Sequence, residues 1–260
     1  MSAYPPEQVP PRETFREPPG QYVPIRLPDV KPWVTYTLLV ITILVYILQE
    51  ASGFLFNGVD VPSIMGMKVN ELIVSGEYWR LITPMFLHGS ILHIAFNMYA
   101  LFSLGPSLER PFGHWRFLAL YLLSGCAGNV ASFAFSAFPS LGSSTAIFGL
   151  IGAEGVFLYR NRKIFAGMAQ RALSQIVMIA IINLVIGLSP GIDNWGHIGG
   201  LVGGTLFSWL ACPLLAVEGI SPALQVVDQR ETRTVVLAAL TVGGLIALAA
   251  AALIYTRSAG

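Results

Sequence analysis

The sequence predicts an all-α polytopic membrane protein with seven spans, and three observations lead there. Hydrophobic residues make up 54% of the 260 residues and charged residues only 11%, with a mean hydropathy of +0.66. That leaves too little polar surface to cover a soluble globule of this length. Apolar runs long enough to cross about 30 Å of hydrocarbon recur along the chain. They fall near 33–50, 84–105, 115–138, 143–160, 170–190, 194–216 and 234–256. Finally, Lys and Arg alternate in density between successive connections, as they do in spanning proteins.

Taken in order, residues 1–32 hold Pro5, Pro6, Pro10, Pro11, Pro18 and Pro19 with mixed charges and no apolar core. This composition predicts a disordered, polyproline-like tail rather than a secretion signal. Glu7, Glu13, Glu17 and Asp29 offset Arg12, Arg16, Arg26 and Lys31, which argues against an organellar presequence.

Twelve of the fifteen basic residues fall on one side of the spans; only Lys68, Arg80 and Arg257 fall on the other. The bias predicts a cytoplasmic N-terminus and, with seven spans, an external C-terminus. Residues 51–83 then form an outer connection, mixing Phe54, Leu55, Phe56, Ile64, Met65 and Met67 with Glu77, Tyr78, Trp79 and Arg80. Trp and Tyr favour the interface, so this segment is expected to lie partly in the outer leaflet. A net charge of +1 with scattered basic residues predicts no nucleic-acid partner. Cys126 and Cys212 sit singly in apolar segments, so neither a disulfide scaffold nor a metal site is expected.

The polar residues inside the spans carry the functional reading, because each is costly there. Gly142-Ser143-Ser144-Thr145-Ala146-Ile147-Phe148-Gly149 puts a serine at the mouth of the fourth span. Alone, such a hydroxyl most often bonds back to its own helix. The second span, however, brings His88, His93 and Asn97, with His93 and Asn97 four apart on one face. The sixth carries His197 among Gly196, Gly199, Gly200, Gly203 and Gly204, a face nearly bare of side chains. Another helix must pack closely there. The fourth span offers Thr145, Gly149, Gly152 and Ala153 as the matching stripe, which would bring His197 near Ser144.

All of these groups fall early in outside-to-inside spans, hence at similar depth in the outer leaflet. A hydroxyl, an imidazole to take its proton and nearby donors for an oxyanion are what acyl transfer requires. Ser143 competes as nucleophile by chemistry alone. Asp193, four residues before His197, is expected to cap the sixth helix rather than orient the imidazole. Glu154 lies roughly 15 Å deeper than Ser144, and with Asn129 and Asn183 it is expected to make buried or interhelical bonds. His114 lies on the opposite side.

At these residues the chain resembles the rhomboid family of intramembrane serine proteases, over nearly everything from the first span to the sixth. The likeness rests on Trp79-Arg80, the H-x₄-H-x₃-N of His88, His93 and Asn97, the G-x-S of Gly142 to Ser144, and the G-H-x-x-G of Gly196, His197 and Gly200. It implies a six-helix core over 33–216, an outer interfacial loop over 51–83, and a linker with a seventh helix over 217–260, a six-plus-one layout. It also implies a Ser144/His197 dyad with no metal and no cofactor. His93 and Asn97 resemble oxyanion donors, His88 an auxiliary member of that pocket, and Trp79 with Arg80 the pair that folds the outer loop. Helix-packing roles are expected for Gly142, Gly149, Gly196, Gly199, Gly200, Gly203 and Gly204.

The implied activity is hydrolysis of peptide bonds in or near transmembrane segments of membrane-protein substrates. The alternative is a catalytically silent relative that binds membrane-protein clients; a transporter would call for internal repeats, and none is visible. The expected location is a plasma membrane of prokaryotic type, with the bilayer and transmembrane substrates as partners. Thr145 departs from the glycine usual after the serine in this family. The sequence leaves open whether it narrows the site, alters substrate choice or is simply accommodated.

Overall fold

The computed structural model describes residues 30–165, 167–220 and 224–259. The expected Pro-rich tail, apart from its last three residues, lies outside the described residues. Seven helices of 17 or more residues organise the rest: α1 (Trp33–Leu55), α4 (Ile91–Phe112), α5 (His114–Phe135), α6 (Ser144–Arg160), α8 (Gly167–Ile186), α9 (Asn194–Ala211) and α10 (Thr232–Ser258). Short helices α2 (Val61–Gly66) and α3 (Asn70–Val74) sit in the long connection after α1, and α7 (Arg162–Phe165) links α6 to α8. The fold is all-α and polytopic. By length and composition α1, α4, α5, α8 and α10 can each cross a membrane. The other two, α6 and α9, are 17 and 18 residues long.

Those two short helices occupy the middle of the molecule. α6 buries eleven residues, among them Ala146, Leu150, Ala153 and Phe157, whereas α8 buries only Ala169 among its described residues. Lipid-facing helices have little to bury, because hydrocarbon tails are as apolar as leucine. The glycines of α9 form two adjacent stripes rather than one. Gly200 and Gly204 lie on the backbone of Thr145 and Gly149 in α6, as expected. Gly199 and Gly203, one position earlier in each pair, face Ala127, Gly128 and Ala131 of α5. Neighbouring residues on a helix point about 100° apart, so a five-glycine run opens two faces and lets α9 wedge between two helices.

Three local features depart from the sequence expectation. Helix α4 begins at Ile91, not near 84, so His88 is not on it. Residues 78–81 and 83–86 form single 3₁₀ turns. Extended Ser90 (φ −166°) then starts the helix by accepting from His93 N at 3.2 Å. The linker after α9 contains an unexpected antiparallel hairpin, β1 (Leu215–Glu218) with β2 (Gln225–Asp228), in which Leu215 pairs with Asp228. Asp228 fastens it to the bundle by pairing with Arg116 Nη1 at 2.9 Å. Finally, Asn183 donates to Ile179 O of its own helix at 2.8 Å rather than to a neighbour.

Asn129, Glu154 and Glu109 each find partners. Asn129 donates to Leu81 O at 3.0 Å, tying α5 to the long connection. Ser107 donates to Glu154 at 3.2 Å. Glu109, fully buried, closes the start of α1 by accepting from Val34 N (2.8 Å), Thr35 N (2.7 Å) and Thr35 Oγ1 (2.6 Å). A carboxylate there satisfies donors that have no partner within their helix and faces the positive end of its dipole. His114 Nδ1 lies 2.7 Å from Glu109.

Candidate active site

Ser144 is the first residue of α6, and its placement depends on the turn before it. Gly142 has φ +133°, a conformation that strains side-chain-bearing residues. A Cβ there would lie 2.7 Å from His93 Nε2 and 3.6 Å from Ser144 Oγ. Gly142 therefore does not pack helices as expected: it permits the turn and leaves open the space between His93 and Ser144. Its N–H donates to Pro84 O at 2.8 Å, which pins the turn to the long connection.

His197 is the fourth residue of α9. Asp193 starts that helix by accepting from Gly196 N at 3.1 Å, so it caps the helix rather than orienting the imidazole. His197 Nε2 lies 2.9 Å from Ser144 Oγ. The ring stacks on Phe148, with centroids 4.3 Å apart and planes 11° from parallel. Its Nδ1 makes no hydrogen bond to any described residue. The geometry is that of a two-membered Ser/His pair whose imidazole is oriented by an aromatic face.

The two neighbouring serines have different partners. Ser143 is fully buried and its Oγ lies 3.2 Å from His88 Nε2. Ser144 is partly open. His88 thus sits behind the site, and its ring meets that of His93 edge-on at 5.0 Å. His93 borders the space beside Ser144. Asn97 does not point there: its amide donates to His93 O at 3.1 Å, one turn back along α4. Among the described residues no group of His, Cys, Asp and Glu is arranged to hold a metal ion.

Trp79 and Arg80 fold the long connection onto itself. Arg80 is buried, pairs with Glu77 at 2.6 Å, and donates to Met67 O (2.8 Å) and Ile64 O (2.9 Å) at the end of α2. Trp79 Nε1 donates to Met65 O at 3.0 Å. A cation at a helix C-terminus satisfies carbonyls left without intrahelical partners.

Two residues of the site escaped the sequence reading. Phe148 stands four residues after Ser144, a spacing that places both on one helix face. Gln49 is a lone buried amide near the end of α1. It grips the peptide of His88 at both ends, with Oε1 accepting from His88 N and Nε2 donating to His88 O, each at 3.0 Å. Its Nε2 also lies 2.8 Å from Asp60 Oδ2 and 2.7 Å from Ser63 Oγ. The rule that a polar side chain in a span is rarely idle would have singled it out.

Thr145 is accommodated, its side chain filling the gap between α5 and α9. A Cβ added to Gly128 would lie 2.6 Å from both Thr145 Cβ and Gly196 O. Gly128→Ala is therefore expected to cost about 1–3 kcal/mol by overpacking. Adding Thr145→Gly should recover part of that, since the Gly196 carbonyl still obstructs. Thermal unfolding of the two single variants and the double variant measures the coupling; strict additivity would place the Thr145 side chain elsewhere.

Comparison with known proteins agrees with this architecture. A family model described as "Rhomboid domain" matches residues 75–214. "Rhomboid protease GluP" of Bacillus subtilis (strain 168) is 46% identical over 175 residues, covering 67% of this chain and 34% of that protein. "RHOMBOID-like protein 2" of Arabidopsis thaliana is 42% identical over 158 residues, 60% of this chain and 50% of the relative. "RHOMBOID-like protein 9, chloroplastic" of the same plant is 36% identical over 157 residues, 60% and 36% respectively. The chain thus spans about a third to a half of the length of these relatives. With a match over more than half of its length, and with that match spanning α4 to α9, the chain belongs to the rhomboid family.

Proposed function

We propose that this protein is an intramembrane serine endopeptidase that hydrolyses peptide bonds in or near transmembrane segments of membrane-protein substrates. The observation that carries the reading is the 2.9 Å contact between Ser144 Oγ and His197 Nε2. With the proton of the imidazole on Nδ1, Nε2 accepts the hydroxyl proton as Ser144 attacks the scissile carbonyl. The tetrahedral intermediate places an oxyanion in the space kept open by Gly142, beside the Ser144 N–H and the His93 ring. Each well-aimed donor there is worth roughly 3–4 kcal/mol of barrier. His197 then protonates the departing amine, and a water activated by the same nitrogen releases the acyl group from Ser144. Asn97 supports His93 through its carbonyl, and it becomes a direct oxyanion donor only if its amide turns away from that bond.

The physical setting supports a substrate that unwinds locally, since a hydrogen-bonded helix hides its carbonyls from attack. The sparsely buried α8 is the side on which the bundle parts most easily to admit it. In this reading residues 33–216 are the catalytic core, and 217–260 complete the hairpin begun at Leu215 and add a seventh spanning helix. The N-terminus is cytoplasmic and the C-terminus external. Purified protein in detergent, incubated with a generic transmembrane substrate, is expected to cleave it, and His197→Ala to lose that cleavage. Undiminished cleavage by the histidine variant would overturn the mechanism. Absence of cleavage and of serine-probe labelling in the wild type would favour a client-binding relative instead.

A further inference from the structure

The mechanism leaves one buried cation without a role. Lys68 lies in the connection between α2 and α3, is fully buried, and hydrogen-bonds to no carboxylate among the described residues. Its Nζ faces Phe138 O (2.8 Å), Asn70 Oδ1 (3.0 Å), Ser136 O (3.1 Å) and Ser132 O (3.5 Å). The three backbone oxygens, of Ser132, Ser136 and Phe138, lie at and just beyond the C-terminus of α5, where a cation is favoured. Asn70 completes the grip, its Nδ2 donating to Ser136 O at 2.9 Å.

The same residue holds the next stretch by its backbone. Lys68 N donates to Ser140 O at 2.9 Å, and Ser140 N returns a bond to Lys68 O at 3.1 Å. Ser140 is four residues before Ser144. The segment from 136 to 143 belongs to no helix and is held by bonds to its neighbours: by Lys68 at 132–140, by Asn70 at Ser136, by Ser132 Oγ at Ser140, by Pro84 at Gly142 and by His88 at Ser143. Near the same helix end, Arg257 of α10 donates to Ala134 O at 3.1 Å and lies over the Phe133 ring.

A buried charge is costly to desolvate, and an apolar side chain of similar length would fill the space more cheaply. What the ammonium adds is direction, since it draws four acceptors from two chain segments toward one point. We propose that Lys68 is a positioning residue for the nucleophile, its ammonium binding the long connection to the turn that delivers Ser144. The inference rests on Ser144 being the nucleophile.

Protonation supplies a signature that a merely space-filling residue would lack. Burial lowers the Lys68 ammonium to about 8, with Asp193 and Glu71 opposing that shift and Arg257 adding to it. As pH rises through that value the group loses a donor and the grip loosens. The test uses the full-length protein in detergent and the rate at which a fluorophosphonate labels Ser144, measured against pH with thermal unfolding alongside. The wild type is expected to label more slowly as pH rises through about 8. Lys68→Met should label roughly 10- to 100-fold more slowly at neutral pH, as a nucleophile displaced by about an ångström would, and should lose the alkaline decline. Asn70→Asp should move the decline to higher pH, because a carboxylate partner favours the ammonium.

Wild-type rate and decline in Lys68→Met would overturn the proposal, as would a wild type that labels without any decline. If Lys68→Met does not fold, Asn70→Asp decides, and an unshifted decline overturns the proposal. A wild type that does not label at all sinks the nucleophile assignment instead, so the two failures are distinguishable.

Discussion

Ser144→Ala is expected to lower kcat for cleavage of a transmembrane substrate by on the order of 10⁴-fold or more, the scale on which removing a serine nucleophile acts elsewhere. Its fold should survive, because Ser144 is partly open and among the described residues its hydroxyl bonds only to His197. Ser143→Ala is the informative neighbour. That hydroxyl is fully buried against His88 and is turned from His197, so its loss should cost less than about tenfold, through the packing of the pocket rather than through bond making. Cleavage rates and probe labelling of both variants, beside their unfolding temperatures, separate the two serines. A larger loss in Ser143→Ala than in Ser144→Ala would mean that the nucleophile has been assigned one residue late.

The second large effect is expected at Gly200. A Cβ there would strike the carbonyl of Thr145, coming 2.8 Å from its carbon and closer still to its oxygen. The obstacle is backbone, so no rotamer relieves it, and α9 must move away from α6. The cost should be about 3 kcal/mol of stability. Because α6 carries Ser144 and α9 carries His197, activity should fall by roughly 100-fold or more even where the variant folds.

Gly199→Ala offers the contrast. Its Cβ would meet Ala131 and, at 2.8 Å, Ala127 O, so it pushes α9 from α5 rather than from α6. Similar destabilisation with a smaller loss of kcat is the expected outcome. Gly244→Ala, with nothing within 4 Å on α10, should change neither. Equal kcat losses at Gly199 and Gly200 would show that the Ser144–His197 contact does not depend on which side of α9 is displaced.

Much of this was legible in the chain. Apolar runs locate the seven long helices, because burial of a backbone in hydrocarbon leaves the helix as its only open solution. The glycines of α9 announced close packing and Asp193 announced a helix start, each a local rule acting through nearby atoms; Gly142, expected to pack helices, proved to make the turn before α6. His88 was assigned to a helix because an apolar run hides where its cap falls. Ser90, taking the amide of His93, moved the helix start past it.

The hairpin after α9 was missed for a different reason. Two four-residue strands carry too short a pattern to stand out, and Asp228 finds Arg116 across 112 positions of sequence. Lys68 and Gln49 were passed over because the partners that tie them to the site, the carbonyls past α5 and the backbone of His88, are backbone atoms. A carbonyl has no letter in a sequence, so a side chain that gathers carbonyls shows no motif.

By itself, then, the sequence located the seven long helices, their close packing through glycine, and a hydroxyl and an imidazole at comparable depth. Periodicity, hydropathy and helix rise are local quantities, and one dimension is enough to read them. The family motif already pointed to Ser144; only the tertiary structure decided that Ser143 turns to His88, that the glycines of α9 serve two neighbours, and that Thr145 is absorbed opposite Gly128. Those outcomes depend on helix rotation and on contacts a few ångströms long, set by the packing of several segments at once.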